Sequence, residues 1–305
     1  MITRDIFNIF LKKYNKGEFR TIGNSVQQSK TLEIQNAHFE VDKPWIVREP
    51  NYEYYNKEKD WYTSLSLNVN DIEGGAPKMW KACATPLGYI NSNYGWCIFS
   101  EDNGNQFESC LQHLIDDPHT REAIMIYNRP SMQQEYNKDG MHDFMCCQNV
   151  QYFINEFDNK NDILDCIVNF RSNDAVFGFN NDALWEFDIL NELVKELNRV
   201  WEKKYGKHVA AGRMYWNAGS LHIYERHFNI LTSPETKANI DQYYANDPKD
   251  NVIQLHFIGG VLQSALHILP TEKYFELKQY IYDRHGYDPG GVKTGQISLM
   301  DFAER

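Results

Sequence analysis

No stretch of this chain approaches the roughly 20 apolar residues of a membrane-spanning helix. The opening Met1-Ile2-Thr3-Arg4-Asp5-Ile6-Phe7 lacks the long apolar run of a secretory signal. These absences predict a cytoplasmic protein, in a host's cytoplasm if the source is viral. Positive charge is also in deficit: 31 Lys and Arg against 42 Asp and Glu give a formal net charge of -11. That argues against a surface for duplex nucleic acid, which needs clustered cations, but not against a single nucleotide, which needs only a few arginines. The cysteines (Cys83, Cys97, Cys110, Cys146, Cys147 and Cys166) form no CxxC pair, and His222 and His227 do not form an HExxH pair. Neither a disulfide framework nor a structural metal is expected. No internal repeat and no Pro-, Gly- or Ser-rich linker divides the 305 residues, whose 42% hydrophobic content can build a substantial core. They read as one continuous domain, 1–305.

What is present is a mixture of periods. Ile6, Ile9, Phe10 and Tyr14 share one side of an N-terminal helix. A helix over 102–116 closes at Asp117-Pro118, since proline discourages continuation. Glu122 to Tyr127 is strand-like. Cys146 to Phe157 and Ile163 to Arg171 read as strands joined by a turn-prone Asp158-Asn159-Lys160-Asn161-Asp162. Such a hairpin brings Cys146 and Arg171 to one end of a sheet. Leu184, Phe187, Leu190, Val194, Leu197 and Trp201 predict a helix over 181–204 that stops at Gly206. Asp182 then falls in the first turn, where the helix dipole favours a carboxylate. Tyr215 to Phe228 is again strand-like, and Thr271 to Arg284 predicts a terminal helix. Regular βαβ alternation is missing, so the class is α+β.

The chemistry concentrates in Arg171-Ser172-Asn173-Asp174 and the residues up to Asp182, downstream of Cys146. Arginine and serine suit a phosphate, and Asn and Asp can read the edge of a heterocycle. A cysteine is a soft nucleophile for an activated double bond. In order and spacing, Cys146, Gln151, Arg171-Ser172-Asn173-Asp174, Gly178 and Asp182 resemble the thymidylate synthase and deoxycytidylate hydroxymethylase superfamily. So do Arg20-Thr21-Ile22-Gly23, Glu58-Lys59-Asp60-Trp61-Tyr62, Trp80, Tyr94-Gly95, Asp117-Pro118-His119-Thr120-Arg121 and His222-Ile223-Tyr224. The resemblance runs from about residue 20 to 230, whereas 235–305 matches poorly. It implies a large mixed sheet flanked by helices, with one sheet face packed in a homodimer.

By that resemblance Cys146 is the nucleophile and Glu58 the acid/base. Alone, Cys146 reads first as a buried strand cysteine, and Glu58 lies in a charge-rich run that is normally solvated. Cys147 stands where relatives carry histidine. Adjacent strand residues face opposite ways, so one cysteine enters the site, and family order selects Cys146. A guanidinium such as Arg171 is expected to lower its thiol pKa. Arg20, Arg121, Arg171 and Ser172 are the implied phosphate ligands, with Gln151 also at the nucleotide. Arg121 is implied to reach a neighbouring subunit's site. Glu122 replaces the second arginine of relatives, for which Arg129 is a candidate substitute. His222 and Tyr224 are implied to bind the sugar 3′-hydroxyl, or else they are a core aromatic pair. Asp174, Trp80, Tyr94 and Gly178 are implied around the folate, although Asp174 also suits a turn and the aromatics suit a core.

Asp182 selects the base. Uracil is complemented by a neutral amide, and relatives acting on it generally carry Asn there. Cytosine is complemented by a protonated carboxyl, or by a carboxylate when N3 is protonated. Asp182 therefore points to a cytosine nucleotide, whereas a one-residue slip would put Asn181 at the base. The implied reaction is 5-hydroxymethylation of dCMP with 5,10-methylenetetrahydrofolate, through a Cys146–C6 adduct, the product entering modified and often viral DNA. A charged C-terminal end, Ser298 to Arg305, favours water over hydride as the final nucleophile. Alternatives are thymidylate synthesis from dUMP, hydroxymethylation of CMP, or a catalytically silent binder of nucleotide or messenger RNA.

Overall fold

A computed structural model describes residues 1–23, 28–157 and 159–245. Six strands form one mixed sheet: β1 (Arg20–Gly23), β2 (Gln28–Glu40), β3 (Ile124–Ile126), β4 (Cys147–Glu156), β5 (Asn161–Asp174) and β6 (His208–Tyr224), in the spatial order β1-β2-β6-β5-β4-β3. Only β5 and β6 run parallel; the other neighbours are antiparallel. The helices are α1 (Thr3–Lys16), α2 (Tyr52–Thr63), α3 (Lys78–Cys83), α4 (Tyr94–Phe99), α5 (Gln106–Asp116), α6 (Met132–Glu135), α7 (Gly178–Tyr205), α8 (Phe228–Leu231) and α9 (Pro234–Ala245). This is the expected α+β arrangement, with the β4–β5 hairpin in place.

The α7 helix organises the core. It buries Leu190, Leu193, Val194, Leu197 and Trp201, and each such side chain contributes about 1.5–3 kcal/mol on leaving water. Gly206 closes the helix at φ 69°, a left-handed conformation that glycine adopts without steric cost. The helix begins at Gly178, three residues before the sequence places it. Asp182 therefore sits in the second turn, beyond the strongest part of the dipole. The Asn pair that reads as a start signal has tertiary partners instead: Asn180 donates to the Arg48 carbonyl and Asn181 to the Glu58 carboxyl.

Two other boundaries move. The strand expected over Tyr215 to Phe228 starts at His208 and stops at Tyr224, where a 3-10 turn, Glu225–His227, takes over. The helix expected from 102 starts at Gln106, after a separate turn at Glu101–Asn103. Strands β1 and β2 have no counterpart in the sequence reading, because β2 alternates poorly and is largely polar. The proposed helix Thr271–Arg284 and the charged end lie outside the described residues.

One irregularity explains why period-two reasoning falters here. Buried positions in β5 step by two through Leu164, Cys166, Val168 and Phe170, then by three to Asn173. In β6 they run Met214, Trp216, Ala218, then jump to Leu221 and Ile223. Strand β2 shows the same change between Ala37 and Leu32. In these three strands the last buried residues before the jump are partners: Phe170 with Ala218, and Ala218 with Ala37. Strands β2, β5 and β6 thus exchange their inward and outward faces at one level of the sheet. Strand β4, which begins there with Cys147 opposite Phe170, instead carries a bulge between Cys147 and Asn149, so its buried positions step by three to Val150. Asn36 adopts φ 53° there. Beside it in β6, a Cβ on Gly219 would lie 2.9 Å from the Arg171 carbonyl oxygen, so close strand approach calls for glycine.

Away from α7, the outer sheet face carries a row of amides. Asn217 lies 2.5 Å from His38 Nδ1 and donates to Asn169 at 2.9 Å, which donates to Asn149 at 2.9 Å. Among the described residues no helix is long and apolar enough to cross a membrane, and no cluster of three or more His, Cys, Asp or Glu is placed to hold a metal ion.

The α2–α4 contact makes a direct test possible. A Cβ on Gly95 would overlap the Tyr62 carbonyl. Gly95→Ala is expected to cost about 2–3 kcal/mol by overpacking and to lower the melting temperature by roughly 4–12 °C. Thermal unfolding followed by circular dichroism checks this; an unchanged midpoint would show that the two helices can separate freely.

Candidate active site

Polar side chains from the adjoining ends of β4, β5 and β6 gather near the start of α7. Cys146 stands immediately before β4, partly buried and with its thiol inside, while Cys147 next to it is fully buried. The two cysteines do face opposite ways. Cys147 points toward Glu186, its Sγ 3.9 Å from Oε1, and that carboxyl also accepts from Tyr127 at 3.3 Å. Burial pushes the Glu186 carboxyl and the Cys147 thiol well above their ordinary ranges.

Arg171 staples the segment before Cys146 into position. Its Nε donates to the Met145 carbonyl at 2.9 Å and its Nη2 to the Phe144 carbonyl at 2.5 Å. Nη2 also approaches Cys146 Sγ at 3.5 Å, and the guanidinium lies over the Phe144 ring. The expected lowering of the thiol pKa does not prevail in this structure. Burial pushes the Cys146 thiol up to about 11, with the Arg171 charge acting against that rise. Desolvation outweighs a single partly exposed guanidinium.

Two carboxyls flank the same cleft. Glu58 is 3% exposed, which removes it from the solvated run that its neighbours suggest. Trp80 Nε1, Tyr54 OH and Asn181 Nδ2 each donate to it at 2.7 Å. Asp182 accepts from Asn173 Nδ2 at 2.7 Å and is also hydrogen-bonded by Tyr94. Burial raises both carboxyls above the usual carboxylate range, and the Glu58 charge adds to the rise at Asp182. Asn181 and Asp182 are thus separated in role: the amide serves Glu58, whereas the carboxyl lies close enough to influence Cys146 electrostatically.

The third side of the cleft comes from the ends of β5 and β6. His222 and Tyr224 sit on one side, their rings 4.8 Å apart and edge to face. Burial holds the His222 pKa down against the nearby Asp174 charge. Asp174 accepts from the Val176 amide at 3.1 Å, the turn role expected as its alternative. Ser172 pairs in register with Ser220. Gly178 forms the floor: a Cβ there would come within 3.4 Å of Asp174 Cβ and 3.7 Å of Asp182 Oδ2. Trp80 and Tyr94 line the Glu58 and Asp182 sides, as their hydrogen bonds require.

Not every candidate joins this group. Arg20 is held by Glu33 at the β1–β2 edge. Gln151 lies five residues along the extended chain from Cys146, about 16 Å, and donates to the Arg121 carbonyl at 2.8 Å. Arg121 is exposed at that remote end. Arg129, the candidate substitute cation, is engaged by Glu135 and by Asn91. Several supporting residues escape sequence reasoning. Asp143 accepts from the amides of Asn91 and Ser92 and from the Ser92 hydroxyl, fixing the entry to α4 and therefore Tyr94. Tyr54 lies four residues before Glu58 on α2, a helical spacing that could have identified it. Asn173, inside the Arg-Ser-Asn-Asp run, has no such signal.

A cysteine, a guanidinium and two shielded carboxyls are brought together beside the start of α7. The thymidylate synthase family model matches residues 21–244, and the chain belongs to that family of one-carbon transferases. It groups with the hydroxymethylase branch. It is 50% identical over 202 residues to the deoxycytidylate 5-hydroxymethyltransferases of Enterobacteria phages T4 and T2, covering 66% of this chain and 79% of each relative. A putative thymidylate synthase of Methanocaldococcus jannaschii is 26% identical over 206 residues, covering 67% of this chain and 81% of the relative. The fold is also similar to thermostable thymidylate synthase A from Bacillus subtilis, with a TM-score of 0.51 and 19% identity over 79% of this chain and 84% of that one.

Because Arg171 opposes the rise of the Cys146 pKa, its removal should raise the pKa further and leave less thiolate at any given pH. Arg171→Ala is expected to slow iodoacetamide alkylation of Cys146 at pH 8 by roughly tenfold and to shift the pH–rate profile to higher pH. Mass mapping of the alkylated peptide distinguishes Cys146 from the other thiols. An unmoved profile would mean that Arg171 acts on the backbone alone.

Proposed function

We propose that this enzyme converts dCMP to 5-hydroxymethyl-dCMP with 5,10-methylenetetrahydrofolate. The observation that carries this reading is the division of labour at the start of α7. Asp182, shielded from water and raised above the usual carboxylate range, shares the cleft with Cys146, while Asn181 is occupied by Glu58. A carboxyl that holds its proton offers a donor and an acceptor side by side, the complement of cytosine N3 and its amino group. The similarity to the phage hydroxymethyltransferases supports the same assignment.

Cys146 is assigned as the nucleophile that adds to C6 and leaves C5 nucleophilic. Its raised pKa fits a thiol activated once substrate is in place rather than a standing thiolate. Glu58, with three donors and a raised pKa, is assigned to the proton transfers at the pyrimidine edge. Arg171 and Ser172 are assigned to the phosphate, joined by Arg20 and by Arg121 of a second subunit. The remote position of Arg121, together with Gln151 beside it, supports a homodimer, and the amide row offers a polar sheet face for it. His222 and Tyr224 are assigned to the sugar.

The cleft also fits a folate. Gly178 leaves a surface without a side chain beside Asp174 and Asp182, the nearest atoms to a Cβ placed there lying 3.4 Å and 3.7 Å away. Asp174 offers an acceptor there, and Trp80 a planar wall. Methylenetetrahydrofolate, when bound, supplies a one-carbon unit at the oxidation level of formaldehyde.

The test is to incubate the protein with methylenetetrahydrofolate and dCMP, dUMP or CMP separately and to weigh the nucleotide. A gain of CH2O on dCMP alone is the expected result; a gain of CH2 on dUMP with dihydrofolate formed would make the protein a thymidylate synthase instead. Glu58→Gln is expected to reduce kcat on dCMP by roughly 10²- to 10⁴-fold. Asp182→Asn should weaken use of dCMP by about 1–3 kcal/mol, or fivefold to more than a hundredfold, and shift preference toward dUMP. Competition between the two nucleotides measures that change; unaltered preference would remove Asp182 from base selection.

A further inference from the structure

Glu33 stands outside the assigned machinery, yet it holds one of the residues assigned to the phosphate. It lies on β2 directly opposite His222 on β6. One of its carboxylate oxygens pairs with Arg20 Nη1, and the other accepts from the Ser220 hydroxyl at 2.6 Å. That hydroxyl is 3.5 Å from His222 Nδ1. The two ends of the ion pair are unequal. The Arg20 side chain is 55% exposed, whereas Glu33 is 12% exposed and anchored through Ser220. If one partner swings away, it is the arginine.

We propose that Glu33 is a specificity-determining residue that holds Arg20 until a nucleotide phosphate takes it, so that binding depends on the phosphate. The inference rests on the reading of Arg20 as a phosphate ligand. An ion pair with one partner in solvent is weak, and a dianionic phosphate offers more acceptor oxygens to a guanidinium fork than a single carboxylate oxygen does. The exchange is therefore open to a nucleotide and closed to a nucleoside. Glu33 does not follow Arg20, because Ser220 keeps it at the strand. It remains as a fixed negative charge near the incoming phosphate, and thereby opposes the binding it regulates. Its removal should tighten nucleotide binding, the reverse of what loss of a purely structural residue does.

The experiment measures dissociation constants of dCMP and deoxycytidine for the full-length protein and for Glu33→Gln, Arg20→Ala and the double variant. Glutamine retains an acceptor for Ser220 while removing the charge. Glu33→Gln is expected to bind dCMP about two- to fivefold more tightly, leave deoxycytidine unchanged, and lower KM for dCMP without a change in kcat. Arg20→Ala should weaken dCMP about tenfold to a hundredfold. In that background Glu33→Gln should retain less of its tightening effect, since no arginine remains to release. If Arg20→Ala leaves dCMP affinity unchanged, the phosphate reading itself fails and the inference falls with it. If Arg20→Ala weakens dCMP but Glu33→Gln does not tighten it, or acts equally with and without Arg20, the inference fails alone. Should Glu33→Gln fold poorly, Glu33→Asp serves: the shorter carboxylate reaches Arg20 less well, so dCMP should again bind more tightly. Weaker binding there would overturn the proposal.

Discussion

The site depends on keeping two carboxyl groups, Glu58 and Asp182, out of water within one cleft. Removal of a carboxylate from solvent is strongly unfavourable unless donors meet it or it takes up a proton. The structure uses both solutions. Glu58 has Trp80, Tyr54 and Asn181 as donors, and Asp182 has Asn173 and Tyr94. Most of the surrounding architecture serves those donors. The α2 helix carries Tyr54 and Glu58 on one side, α7 delivers Asn181 and Asp182 together, and Asp143 fixes the start of α4 and so Tyr94. Loss of any donor would leave a buried acceptor unmet and change the proton affinity of the group beside it.

Much of this was legible in the sequence, for definable reasons. Strong periodicity found α7 and the β4–β5 hairpin, which brings Cys146 and Arg171 to one end of the sheet, and the ordered boxes marked Asp174, Asp182, His222 and Tyr224 as site candidates. Boundaries failed where tertiary contacts override local signals. Asn180 and Asn181 read as a helix start, but their side chains are used by Arg48 and Glu58, so the helix extends back to Gly178. The charged sequence neighbours of Glu58 left a solvated reading open beside its acid/base role, whereas its spatial neighbours are Trp80 and Tyr54. The thiol of Cys146 was expected to be acidified by Arg171; the sequence could place the cation but not measure the burial that outweighs it.

Strand β2 shows the same limit. Its run from Gln28 to Glu40 is polar and alternates badly, because its faces exchange near Asn36 and because part of it serves the β1 edge. Glu33 gave no signal in one dimension. Its partners, Arg20 and Ser220, lie 13 residues before it and 187 after it. Only the pairing of β2 with both β1 and β6 brings the three together.

The shared exchange of faces has a consequence for how such a sheet can vary. Cys147, Phe170, Ala218 and Ala37 form one rung, and beyond it the inward positions of β2, β5 and β6 change parity. A residue gained or lost in any one strand near this rung would leave its polar and apolar sides reversed relative to its neighbours. No side-chain rearrangement could repair that mismatch, since alternation along a strand has no intermediate setting. Length changes here must therefore be concerted across strands distant in sequence or absorbed by a bulge, as β4 does beside Cys147, while the loops that join them remain free to lengthen.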